Sequence, residues 1–102
     1  MKRKSNVESI VLNYALLYGV IIVKTIDVIK NRILNLCEQH NLTINALAEI
    51  SAIPPSSLKN ILYGKSKNPQ ILTIKLICDG LGITLGDFFS TTEFDSLEQE
   101  IE

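Results

Sequence analysis

The stretch from Leu47 to Pro69, LAEISAIPPSSLKNILYGKSKNP, carries the punctuation that most restricts this chain. A residue that precedes proline is pushed out of the αR region, so Pro54 is expected to be extended. Pro55 then takes the first helical position, where its missing N–H costs nothing. Gly64 is expected to stop the helix in the left-handed conformation that a C′ position favours. What lies between is a helix of about two and a half turns. Leu58, Ile61 and Leu62 share one face of it, while Ser56, Lys59, Asn60 and Tyr63, at i, i+3, i+4 and i+7, look the other way. Before it, Thr43 caps a shorter helix over Ile44 to Ile50, whose Leu47 and Ala48 point inward. Ser51-Ala52-Ile53 makes the turn, small where two backbones must approach closely. The spacing therefore predicts two short helices meeting at an angle, their apolar faces turned to a common core.

The remaining segments supply the rest of that core. Thr25 reads as an N-cap, Asp27 sits in a first turn where negative charge suits the helix dipole, and Ile26, Ile29, Ile33, Leu36 and Cys37 form one stripe ending near Gln39 to Asn41. Asn68-Pro69 opens a fourth helix in which Ile71, Leu72, Ile74, Leu76, Ile77, Cys78 and Leu81 make a stripe too broad for a surface helix, so it is expected to be the core's central wall. Gly80 and Gly82 bracket its end. Thr84 and Asp87 form a capping box for a fifth helix, Leu85 to Phe89. The expected fold is all-α, a bundle of five short helices over residues 25–90. Residues 1–24 form an N-terminal extension with the apolar run Ile10 to Val23, too short to span a bilayer as a helix and lacking a small-residue cleavage site. It covers the domain or a partner subunit, or lies before the biological start of the chain. Residues 91–102 form an acidic tail in which Phe94, Leu97 and Ile101 fall on one stripe. That stripe suits a short helix docked on the domain, a helix at a dimer seam, or a frayed end.

The central unit resembles the helix-turn-helix family of phage repressors, Cro proteins and xenobiotic-response-element-type bacterial regulators. The residues that carry the resemblance are Leu47-Ala48, Ile53, Leu58, Ile61, Gly64 and Asn68-Pro69. Ile74, Ile77, Cys78, Leu81-Gly82-Ile83, Leu85 and Phe88-Phe89 are similar to the family's closing helices. The chain departs from the family in three places: Ile44 stands where many members carry a phosphate-clamping Gln, Ala52 replaces the turn glycine, and the recognition helix has no Arg. The resemblance implies double-stranded DNA as partner and the role of a transcriptional regulator, a repressor acting as a homodimer in the bacterial cytoplasm, a phage or a mobile element.

Charge is distributed in keeping with such a partner although its total is not. The formal net charge of the 102 residues is -1. Residues 50 to 78 nevertheless contain Lys59, Lys65, Lys67 and Lys75 and no carboxylate, while the tail holds Glu93, Asp95, Glu98, Glu100 and Glu102 and no base. The expected DNA-binding residues are Thr43, Asn45, Pro55, Ser56, Ser57, Lys59, Asn60, Tyr63, Lys65 and Lys67. Lys65 and Lys67 would reach phosphates from the loop after the recognition helix. Thr43 and Asn45 would take over part of what Ile44 cannot do, although capping alone accounts for Thr43 equally well. Asn60 suits the N6 and N7 of adenine, and Lys59 suits guanine O6 and N7.

Other chemistry finds little support. No Gly-rich phosphate loop follows a strand and no nucleophile has a paired base, so no enzymatic activity is expected. Cys37 and Cys78 lie in apolar stripes without metal-ligand spacing and read as buried, reduced thiols. His40 has no companion ligand near it and suits a helix C-terminus. No metal, cofactor, small-molecule ligand or membrane partner is expected. The competing reading is a helix-turn-helix retained as a protein-interaction module, such as an antitoxin-like subunit, which the missing Arg and Gln would suit.

Overall fold

The computed structural model describes residues 24–100, and these form six helices joined by short loops. They are α1 (Thr25–Gln39), α2 (Ile44–Ile50), α3 (Pro55–Tyr63), α4 (Ile71–Leu81), α5 (Leu85–Phe89) and α6 (Thr92–Asp95). No strand occurs among the described residues. The expected all-α bundle is present, with five helices within residues 25–90 and a sixth in the acidic tail.

The core is assembled from one face of each of the first five helices. Ile33 and Leu36 of α1, Leu47 and Ala48 of α2, Leu58 and Ile61 of α3, Ile74 and Ile77 of α4 and Phe88 of α5 are all buried in one cluster. Each leucine, isoleucine or phenylalanine of this set stabilises the fold by roughly 1.5–3 kcal/mol when fully buried, which is why five helices too short to persist alone hold together. Cys37 and Cys78 are buried in the same cluster as free thiols. Burial pushes both thiol pKa values up, with the neighbouring Asp79 adding to the effect at Cys78.

Local chemistry sets the helix boundaries, and in several places it moves them from the expected residue. α1 begins one residue early: Lys24 is the N-cap, and its N–H donates to the Asp27 carboxylate at 3.2 Å. Thr25 is therefore inside the helix rather than its cap. α4 begins at Ile71 with Gln70 as N-cap, so Asn68-Pro69 belongs to the preceding loop. That shift leaves Ile71 and Leu72 61% and 62% exposed on the first turn, and only Ile74, Ile77 and Cys78 are buried. The helix is a wall on one side only. Gly80 lies within it, not beyond it: a Cβ there would stand 2.8 Å from the Ile50 carbonyl oxygen and 2.9 Å from Ser51 Oγ. The missing side chain lets α4 pass directly over the end of α2, where the Ser51 hydroxyl is buried without a hydrogen-bond partner. Gly82, at φ 72°, closes the helix in the left-handed conformation.

The capping box on α5 forms as expected, with the Asp87 N–H donating to Thr84 Oγ1 at 2.9 Å and the Thr84 N–H donating to Asp87 Oδ2 at 3.1 Å. Its other end is held from a distance. Arg32 donates from Nε to the Phe88 carbonyl and from a terminal nitrogen to the Asp87 carbonyl, each at 2.8 Å. Its guanidinium lies 5.8 Å from the centre of the Phe88 ring. A cation so placed satisfies carbonyls that a five-residue helix leaves open at its C-terminus. Beyond α5, the Phe94 ring centroid sits 4.9 Å from that of Phe89 and 6.1 Å from that of Phe88. The first of the three readings of the tail, a short helix docked on the domain, describes this part of it. Ile101 and the apolar run Ile10 to Val23 lie outside the described residues.

Candidate nucleic-acid interface

Helices α2 and α3 are set against each other by the turn at residues 51–53. Ser51 N–H donates to the Leu47 carbonyl at 3.0 Å, and Ile53 N–H reaches back to the Ala48 carbonyl, also at 3.0 Å. Between them Ala52 adopts φ 57°, a left-handed conformation that costs an L-residue with a Cβ roughly 1–2 kcal/mol. The absence of glycine therefore leaves the turn's shape intact and adds strain to it. Pro54, at φ -62° and ψ 138°, is the extended N-cap of α3, and Pro55 occupies N1.

With Leu58, Ile61 and Leu62 buried, α3 turns Ser56, Ser57, Lys59, Asn60 and Tyr63 to solvent. Tyr63 is 67% exposed, an unusual position for a large aromatic ring. The loop behind it exposes Lys65 and Lys67. Neither these two lysines nor Lys59 has a carboxylate partner among the described residues. Lys75, the fourth cation of this stretch, differs: it pairs with Asp79 one turn along α4. The positive region is thus narrower than the sequence suggests.

At the start of α2, Thr43 Oγ1 accepts the Ala46 N–H at 3.0 Å. Capping uses the oxygen's lone pair and leaves the hydroxyl proton free to donate elsewhere, so the two explanations of Thr43 are compatible. The N–H groups of Ile44 and Asn45 lie in the first turn, where a helix offers no partner. Asn45 is exposed, whereas Ile44 is half-buried and packs against the core. Its side chain serves packing where other members of the resembling family carry a polar clamp.

All ten expected contact residues are exposed, and they come from the start of α2, the outer face of α3 and the loop that follows. An exposed helix preceded by a short helix across a tight turn, with lysines beyond it that have no carboxylate partner among the described residues, is a helix-turn-helix arrangement. Residues 32–93 match the family model of the Cro/C1-type helix-turn-helix DNA-binding domain. The chain belongs to the Cro/C1-type helix-turn-helix family. It is also similar to a solved structure, the prophage Lp1 protein 11, with 31% identity and a TM-score of 0.65 over 72% of this chain and 97% of that one. No curated protein matches it. As a Cro/C1-type domain it is a DNA-binding protein of the transcription-regulator class. No helix among the described residues is long and apolar enough to cross a membrane.

One Cro/C1-type feature within the interface differs from what the sequence predicts. Gly64 ends α3 at φ -93° and ψ -156°, an extended conformation and not the left-handed one expected of it. The signal for a glycine here is spatial, since a Cβ would stand 2.7 Å from the Asn60 carbonyl oxygen.

Proposed function

We propose that this protein is a repressor that binds operator DNA as a homodimer, laying α3 of each subunit in the major groove. The observation that carries the reading is the outer face of α3, where Ser56, Lys59, Asn60 and Tyr63 are exposed together while the opposite face is sealed in the core. An α-helix is about 10–12 Å across with its side chains, which a major groove about 12 Å wide accommodates.

Within that groove Asn60 pairs with the N6 and N7 of adenine, and Lys59 donates to guanine O6 and N7. As a flexible point charge, Lys59 reads less strictly than an arginine would. Pro55, Ser56 and Ser57, at the helix start, contact the backbone or a nearby base edge. Tyr63 closes the other end. Lys65 and Lys67 neutralise phosphates on one side of the helix, while the Thr43 hydroxyl and the first turn of α2, with Asn45, hold phosphate on the other. Phosphate contacts supply most of the affinity and groove contacts supply the discrimination.

One recognition helix reads only a few base pairs, so two half-sites about 34 Å apart are expected. Footprinting on the DNA upstream of the protein's own gene tests the reading, because a small repressor of this kind is suited to act on its own promoter. Two protected half-sites with that spacing are expected. A chain that protects no DNA at any concentration would instead favour the protein-interaction module.

A further inference from the structure

We propose that Gly64 is a positioning residue for base readout, giving the Asn60 carboxamide its place by having no side chain of its own. The inference rests on the reading of Asn60 as a groove contact. At φ -93° and ψ -156° the Gly64 backbone is extended and not left-handed, so a positive φ is not what calls for glycine here. The space does. The Gly64 N–H donates to the Asn60 carbonyl at 3.0 Å, folding the chain tightly against the last turn of α3. A Cβ added there would lie 2.7 Å from that carbonyl oxygen and 3.0 Å from Asn60 Cα, and would overlap Asn60 Oδ1. The volume an alanine methyl would fill is already the seat of the carboxamide oxygen four residues earlier. Because hydrogen bonds weaken steeply with distance and angle, displacing the carboxamide is enough to spoil a bidentate fit to adenine. Gly64 thus sets specificity without touching DNA.

The test is a double-mutant cycle read on the ratio of cognate to random-duplex affinity. N60A is expected to lower that ratio by about 5- to 150-fold, the range of one bidentate base contact. Gly64→Ala should lower it in the natural background and lower it clearly less in the N60A background, since the carboxamide it displaces is then gone and only the crowding of the residue-60 backbone remains. An equal loss from Gly64→Ala in both backgrounds, or no loss in the natural one, overturns the role given to Gly64 while leaving Asn60 as a reader. An unchanged ratio in N60A overturns the reading of Asn60, and the role of Gly64 falls with it. Since an added Cβ also crowds helix backbone, a second measurement uses the unaltered chain. A nuclear Overhauser contact between the Asn60 side-chain amide and the Gly64 α-protons is expected in the free protein, and its absence overturns the placement.

Discussion

Ala52 shows how a single residue holds a structural role at a cost. The helix-turn-helix turn needs one left-handed residue, and Ala52 supplies it at φ 57° with a Cβ in place. Ala52→Gly should relieve about 1–2 kcal/mol of strain and lose about 0.5–1 kcal/mol to the greater freedom of the unfolded chain. A net gain of about 0.5–1 kcal/mol is expected, visible as a rise of a few degrees in Tm by calorimetry. A lowered Tm would mean that the turn relaxes elsewhere. Asn60 sits at the same scale but acts on function. Asn60→Ala should cost about 1–3 kcal/mol on the cognate site and relax preference at one base pair, leaving random-duplex binding nearly unchanged. Titration of both duplexes checks this, and equal losses on the two would show that Asn60 holds the backbone.

At the scale of elements, what could be read in the sequence divides by distance along the chain. Thr43 and Thr84 with Asp87 were legible as boundaries because a cap and the N–H it accepts lie within three residues of each other, and Pro54-Pro55 because proline restricts its own backbone and its neighbour's. The contacts that close the molecule were not. Arg32 reaches the end of α5 across 56 residues, and Glu100 reaches Thr25 across 75. Periodicity is equally blind to which side of an apolar helix finds a neighbour, which is why Ile71 and Leu72 looked like core. The Glu100 contact carries a pH signature. Its carboxylate accepts the Thr25 N–H at 2.9 Å, and hydrogen bonds from the Thr25 side chain and backbone, helped by Lys24, hold its pKa below the usual glutamate value. A depressed folded pKa gives stability that is present above the unfolded value of about 4.3 and is lost as pH falls through the folded pKa. The Tm difference between the natural chain and Glu100→Gln should therefore be constant above about pH 5 and shrink on acidification. A difference independent of pH between 3 and 6 would remove the carboxylate from the tie between tail and α1.

At the scale of the whole molecule, pairing and DNA binding each have a direct test. The sequence of residues 1–22 holds the longest apolar stretch outside the helices that the sequence predicts, which makes it the proposed seam of the homodimer. Deleting residues 1–22 should lower the dimer fraction in sedimentation; an unchanged oligomer would move the seam to another surface. The DNA claim rests on unpaired lysines beside an exposed helix, and counterion release turns it into a slope. Affinity for the footprinted duplex, measured from low to physiological salt, should fall on a log–log plot with a slope of about -0.9 for each phosphate neutralised. The double variant Lys65→Ala, Lys67→Ala should flatten that slope by up to about two units and weaken cognate and random duplexes alike. A slope indistinguishable from zero in the natural chain would contradict the account.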